Sequence, residues 1–503
     1  MELLNNLMMG FGVALTLNNI MYAFIGVLLG TLIGVLPGIG PIATISMLLP
    51  ATFVLPPVSA LIMLAGIYYG AQYGGSTTAI LVNLPGEVSS VVTCLDGYQM
   101  ARKGMAGKAL GIAALASFFA GTVATILIAG FAPPLAELAL KFGPADYFAL
   151  MVLGLIAAVV LAHGSIVKAI AMIVLGLLMG LLGTDVNSGV ARYSFNLPEL
   201  IDGIGIGTIA MGMFGFSEII RNLEHGEKRE VFTKSIHGLL PNWSDIKRSA
   251  MPTLRGTTLG AMLGVLPGGG PVLGAFSAYT LEKKLNKNPE LFGTGMIEGV
   301  AAPESANNAA AQTSFIPLLT LGIPSNPVMA LMIGAMIIHG IQPGPQIMTA
   351  KPELFWGMIA SMWVGNLLLV ILNLPLIGMW VKLLTVKYDY LFPAILIFCC
   401  IGVYSISNAW MDVILAALFG FIGYVFIKLE VEPAPLLLGF VLGPMMEENL
   451  RRALLLSRGD PMVFLKRPIS LTLLILSAIL IVIVLLPAIS KKREEAFAEP
   501  PPV

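Results

Sequence analysis

Small polar residues in two groups, together with a few acids, carry the residue types suited to handling a charged solute in this 503-residue chain. Ser76, Thr77, Thr78 and Asn83 form the first group. Ser305, Asn307, Asn308, Gln312, Thr313, Ser325 and Asn326 form the second. Their hydroxyls and amides can replace the hydration of a polar ligand without burying a fixed charge. Glu87, Asp96, Glu298 and Glu304 lie near these groups, and a carboxylate at membrane depth is costly enough to be a functional candidate by default. Glu304, with Gln312 and Thr78, is the expected cation- or proton-coupling set. Any metal expectation is limited to Na⁺ at helix breaks, with no ligand set assigned.

The elements that must position these residues are helix breaks. Gly34-Val35-Leu36-Pro37-Gly38-Ile39-Gly40-Pro41 recurs as Gly264-Val265-Leu266-Pro267-Gly268-Gly269-Gly270-Pro271. A Pro-Gly-x-Gly-Pro run removes amide donors and stops a helix, and lipid cannot satisfy the freed backbone groups. Such a break survives only where it is buried in protein or lines a polar cavity. A half-helix beginning there points N–H groups at a carboxylate, and one ending there offers carbonyls to Na⁺. The expected substrate-binding residues are Pro37, Gly38, Gly40, Pro41, Ser76, Thr77 and Asn83 from one copy. Gly268, Gly270, Pro271, Asn307, Asn308, Thr313, Pro324 and Ser325 come from the other. One Gly or Pro alone serves packing or a kink equally well. A duplicated break, each copy followed by a polar second break, points to a site.

The second breaks are expected at Gly70–Thr78 and Asn83–Glu87 in the first copy, and at Pro303–Asn308, Gln312–Ser314 and Gly322–Asn326 in the second. The offset is 264 − 34 = 230 for the Pro-Gly units and 324 − 85 = 239 for the later prolines.

Hydrophobic residues make up 57% of the chain and charged residues 11%, against about 25% charge in soluble domains. At about 20 residues per span, the pattern predicts an all-α polytopic membrane protein with about 11–12 transmembrane segments. Within it lie two inverted-topology repeats, each with a re-entrant hairpin and a broken helix. The expected organisation is a first repeat at 1–105, scaffold spans at 106–220, a cytoplasmic basic loop at 221–255, a second repeat at 256–350, scaffold spans at 351–490 and a polar tail at 491–503. Inversion is expected because Arg102, Lys103 and Lys108 follow the first hairpin, whereas the basic loop precedes the second. Basic stretches at 451–467 and 491–493 flank a single strong span, so positive-inside reasoning fails at one of them.

Several classes are excluded or disfavoured. Lys plus Arg (28) balance Asp plus Glu (28), which gives no case for nucleic acid. Cys94, Cys399 and Cys400 offer neither a disulfide framework nor ligand spacing, and no cofactor is expected. The chain has no HExxH and no GxxxxGK[ST] motif, and Tyr388-Asp389 lacks a Gly-x-Gly-Asp partner, so an intramembrane enzyme and a nucleotide-driven pump are both disfavoured. An anion channel-like protein with re-entrant selectivity loops is the alternative to a carrier. Two different breaks per copy fit alternating access better.

Gly30 to Pro41, Tyr69-Gly70-Ala71-Gln72-Tyr73-Gly74-Gly75-Ser76-Thr77, Asn83-Leu84-Pro85-Gly86-Glu87, Gly299 to Asn308 and Gly439 to Arg452 resemble the large membrane subunit of the tripartite tricarboxylate transporters, the TctA family. The resemblance covers nearly the whole chain. It implies a multi-pass protein of the bacterial inner membrane that imports a di- or tricarboxylate such as citrate by symport with Na⁺ or H⁺. It also implies a small membrane subunit and a periplasmic solute-binding protein as partners, and the reading admits a homo-oligomer. An elevator-like motion fits the segregation of polar breaks from plain spans.

Overall fold

The computed structural model describes residues 2–36, 40–161, 165–185, 188–195, 197–225, 236, 238–266, 270–384 and 388–485. The principal helices are α1 (Glu2–Ala14), α2 (Leu17–Val35), α3 (Gly40–Leu48), α4 (Pro57–Val82), α5 (Ala106–Ala139), α6 (Pro144–Leu161) and α7 (Ile166–Gly180). A short antiparallel hairpin, β1 (Gly183–Thr184) and β2 (Ala191–Arg192), follows. Next come α8 (Ile206–Ala210), a π turn at Met211–Phe216, α9 (Ser217–His225), α10 (Trp243–Val265), α11 (Gly270–Leu285), α12 (Glu298–Thr313), α13 (Phe315–Leu321) and α14 (Pro327–Ile338). The chain continues through α15 (Pro352–Asn373), α16 (Ile377–Leu384), α17 (Tyr388–Ser407), α18 (Trp410–Lys428), α19 (Ala434–Leu456) and α20 (Pro468–Leu485). Among the described residues α2, α5, α15 and α18 are long and apolar enough to cross a membrane, and α6, α7, α14 and α20 include shorter apolar stretches. A second π turn, Cys94–Tyr98, lies between α4 and α5.

Glycine stripes set the closest packing. On α2, Gly26, Gly30 and Gly34 lie against the backbone of Met63, Ile67 and Ala71 on α4, where any Cβ would overlap a carbonyl. Gly70 and Gly74 of α4 return the contact against Val27, Thr31 and Val35. On α10, Gly256, Gly260 and Gly264 meet Ala302, Ala306 and Ala310 of α12 in the same way. In a membrane such spacing lets two backbones approach and gain dispersion contacts that bulkier residues prevent.

This packing explains two departures from expectation. Gly70–Thr78 is not a break: α4 runs unbroken to Val82, and its small residues there serve close approach to α2. Likewise Pro303–Asn308 lies inside α12, whereas the expected break at Gln312–Ser314 coincides with a helix boundary: α12 stops at Thr313 and α13 starts at Phe315. Pro303 falls in the second turn, where its missing N–H leaves a single helical carbonyl unbonded. Besides this division at Ser314, the expected second breaks present are Asn83–Glu87 and Gly322–Asn326.

Two further boundaries differ. The apolar run 355–381, within the expected scaffold spans, is not one continuous helix: it divides at Asn373 because Pro375 disfavours helix at Leu374 and cannot continue the ladder. The stretch 221–255, read as a basic loop, is helical from Trp243, where Asn242 and Asp245 form a reciprocal capping box.

Ion pairs gather the loops at two ends. Lys103 Nζ donates to Thr294 O (2.5 Å), Lys108 pairs with Asp245 (3.0 Å), and Arg248 holds Glu298 in a bidentate pair at 3.0 and 2.9 Å. Arg467 pairs with Asp146 (2.6 Å), and Arg192 bridges Asp185 (2.6 Å) and Glu447 (2.9 Å). The 34-residue α5, about 50 Å long at 1.5 Å per residue, begins beside the first set and ends beside the second.

Candidate functional site

Glu304, on α12, is 1% exposed. Its Oε2 accepts from Ser76 Oγ of α4 (2.6 Å) and its Oε1 from Thr93 Oγ1 (2.5 Å). No Lys or Arg pairs with it among the described residues. A buried carboxylate held only by neutral hydroxyls is expensive, which makes this group the centre of the candidate site.

Glu87 lies alongside. It caps the turn Val88–Ser90, and its carboxylate takes hydrogen bonds from Ser89 Oγ and from Asn307 Nδ2 (3.3 Å). Ser89 Oγ also lies 2.9 Å from Asn307 Oδ1 and 3.1 Å from Gln72 Oε1. One hydroxyl proton serves one acceptor at a time, so this corner holds more acceptors than donors.

The network continues onto α5 and α15. Asn308 Nδ2 donates to Ser117 Oγ (2.7 Å) and to Glu304 O (3.0 Å), and Thr125 Oγ1 donates to Gln312 Oε1 (2.7 Å). Tyr73 OH donates to Asn366 Oδ1 (3.1 Å), whose Nδ2 donates to Phe118 O (2.9 Å). A water-sized cavity lies beside Glu304, with Tyr73, Ser76, Thr77, Ser117 and Asn373 in its wall.

The two breaks share one construction. Asn83 ends α4 in the left-handed region (φ 58°) and Glu87 caps the following turn. Gly322 ends α13 at φ 70°, and Asn326 caps α14 by accepting from Met329 N (3.0 Å). Upstream of each break, a hydroxyl braces the helix that leads into the Pro-Gly unit of the same half. Thr78 Oγ1 donates to Val35 O (2.8 Å) at the end of α2, and Ser314 Oγ lies 3.2 Å from Gly264 O at the end of α10. These bonds satisfy carbonyls that a terminating helix leaves orphaned.

The structure therefore brings Ser76, Glu304, Asn307, Asn308 and Gln312 together. Thr78 serves instead as the brace on Val35. Thr77 and Thr313 turn their hydroxyls back to Tyr73 O (3.5 Å) and Ala309 O (3.0 Å) of their own helices, although Thr77 lines the cavity. Ser325 Oγ donates to Ser314 O (3.4 Å) and Pro324 lies in the second break. Gly40 and Gly270, at φ 64° and 53°, open α3 and α11 ahead of Pro41 and Pro271. Pro37, Gly38 and Gly268 lie outside the described residues.

Asp96 and Glu298, weighed as coupling acids, have structural partners. Asp96 accepts from Gly293, Gly295 and Met296 N–H and from Tyr279 OH, at 2.7 to 3.0 Å. Glu298 is taken by Arg248. Sequence reasoning missed Ser89, Thr93, Ser117, Thr125, Asn366 and Asn373. Ser117 and Thr125, and Asn366 and Asn373, are each spaced by about two helical turns, so one polar face on an apolar span was the available signal.

Two proteins of Agrobacterium vitis are similar to this chain. One, described as an uncharacterized 52.8 kDa protein in the TAR-I ttuC' 3'region, is 61% identical over 499 residues, 99% of each chain. The other, an uncharacterized protein in the TAR-II ttuC' 3'region, is 63% identical over 240 residues, 48% of this chain and 99% of its own length. No solved structure matches. Residues 20–438 match the family described as the Tripartite tricarboxylate transporter TctA family. That span includes both Pro-Gly units, both breaks and the whole Glu304 network, and its members are transport proteins of the bacterial inner membrane rather than enzymes. With apolar helices closing around a buried polar centre and a family match over most of its length, the chain belongs to the TctA family as a multi-pass transport protein.

Proposed function

We propose that the chain is the large membrane subunit of a secondary carrier that imports an organic di- or tricarboxylate, driven by a Na⁺ or H⁺ gradient. The family works with a small membrane subunit and a periplasmic solute-binding protein, and the same partners are proposed here.

The observation that carries the reading is the repetition of contacts at two constant offsets. Gly26, Gly30 and Gly34 correspond to Gly256, Gly260 and Gly264 at 256 − 26 = 230, as do Gly40 and Gly270 with their positive φ. Met63, Ile67 and Ala71, against which the first stripe packs, correspond to Ala302, Ala306 and Ala310 at 302 − 63 = 239. The same 239 relates the left-handed caps, Asn83 and Gly322, and the N-caps, Glu87 and Asn326. Helix pairing, break and cap thus recur as one unit, which supports two structural repeats.

Two repeats related by inverted topology would meet near the bilayer midplane and expose their shared site to each side in turn. Neutral donors at the breaks suit a carboxylate, and buried Glu304 suits a coupling cation or proton. The repeats would move against the remaining helices in an elevator-like way. Uptake of labelled citrate and other carboxylates into vesicles, with co-expressed partner subunits and an imposed Na⁺ or H⁺ gradient, tests the reading. Saturable uptake that needs both the gradient and the binding protein is expected. Non-saturable flux that ignores the binding protein would indicate a channel.

A further inference from the structure

We propose that the cavity beside Glu304 is a binding site for one dehydrated monovalent cation, sodium in kind, with Asn373 as a ligand facing the Glu304 carboxylate. The inference deepens the carrier reading and rests on it for the role of the ion.

Asn373 carries the argument. It is 5% exposed and stands at the last position of α15 in the wall of the cavity. Its Nδ2 is spent on Leu369 O (2.9 Å), which fixes the amide's orientation, and its Oδ1 has no hydrogen-bond partner among the described residues. A buried amide oxygen without a donor costs stability unless something fills that role.

The surroundings narrow the ligand. Glu304 supplies one carboxylate, while Ser76, Ser117 and Tyr73 supply neutral oxygens around the same cavity. Glu304 already accepts from two hydroxyls, and no Lys or Arg among the described residues pairs with it. With Glu304 ionised, the wall of the cavity holds one carboxylate among neutral oxygens, which matches a single positive charge. Among the described residues no three His, Cys, Asp or Glu side chains cluster to suit a divalent or transition metal. The C-terminal end of α15, which abuts the cavity at Asn373, adds the negative end of a helix dipole. A cavity of water size admits the bare ion and excludes its hydration shell.

The test is equilibrium binding of ²²Na⁺ to the purified full chain in detergent, at constant ionic strength and without carboxylate. The wild type should bind sodium saturably, with equal potassium or choline failing to displace it. Asn373→Ala should weaken binding at least tenfold and Glu304→Gln should abolish it. Asn373→Asp, which keeps an oxygen in place, should bind within about threefold of the wild type and guards against a folding artefact. No sodium binding by the wild type, or unchanged binding by Asn373→Ala, would overturn the site. Gradient-driven carboxylate uptake by a protein that binds no sodium would sink the site and leave the carrier reading standing. Sodium binding without carboxylate uptake under any gradient would do the reverse.

Discussion

The buried acids divide by what they accept. Asp96 takes three backbone N–H groups of the 293–296 turn and the Tyr279 hydroxyl, so its carboxylate ties the segment after α4 to the segment before α12. Asp96→Ala would leave those donors unpaired, at about 1–3 kcal/mol each. It should therefore cost about 3 kcal/mol or more, read as a lower unfolding midpoint in detergent, while Asp96→Asn, which keeps one acceptor, should lose less. Equal midpoints for wild type and Asp96→Ala would show that the turn finds other partners. Glu304 should behave in the opposite way. Its partners are two hydroxyls that can reverse and accept, so Glu304→Gln can keep both contacts without the charge. The variant should fold at wild-type level and lose gradient-driven uptake at least tenfold in vesicles. Wild-type uptake would assign Glu304 to packing alone.

At the scale of elements, the two left-handed caps make unequal demands. Asn83 and Gly322 both sit at positive φ, but a Cβ on Gly322 would lie 2.7 Å from Pro343 O, a backbone atom with little freedom to move. Asn83→Gly should therefore be close to neutral. Gly322→Ala should destabilise by about 1–2 kcal/mol from the left-handed conformation alone, with the Pro343 contact adding to it. Thermal unfolding of the two variants side by side would decide the matter, and equal effects would mean that the loop at Pro343 yields. This pair also shows what was legible in the sequence. Pro85 and Pro324 announced both breaks, because proline's missing donor acts locally. Gly70–Thr78 and Pro303–Asn308 misled for the same local reason: residues that weaken an isolated helix also permit the backbone contact that stabilises a packed pair, and only tertiary structure tells the two apart. Thr93 was illegible as a site residue, and Ser117, Asn366 and Asn373 offered only a polar face on an apolar span, because the meaning of each comes from helices distant along the chain.

For the whole molecule, the ion pairs sort into two sets the basic segments whose loop charges alone leave the sidedness contradictory. Lys103, Lys108, Arg248 and Arg255 all pair or hydrogen-bond among residues 245–298, placing the basic segments around both hairpins at one end. The positive-inside rule predicts that this end faces the cytoplasm. The Arg451–Arg467 stretch belongs to the other end, because Arg451 reaches Asp185 (3.2 Å) and Arg467 reaches Asp146 (2.6 Å), beyond the far terminus of α5. Charges there are held in local pairs. A hydrogen bond from Lys466, aided by the Met462 N–H, keeps the Asp460 carboxyl below its usual range, so that pair stays ionised at neutral pH. Starting from this outer end, α20 should return the chain to the cytoplasmic end. In a background with Cys94, Cys399 and Cys400 replaced by Ala, Leu456→Cys should react with a membrane-impermeant maleimide in intact spheroplasts. Lys287→Cys should react only after the membrane is opened. A fluorescent protein fused after Val503 should fold and fluoresce inside the cell. Labelling of Lys287→Cys from outside, or a dark fusion on a protein that is present in the membrane, would reverse the assignment and with it the direction in which the two breaks face.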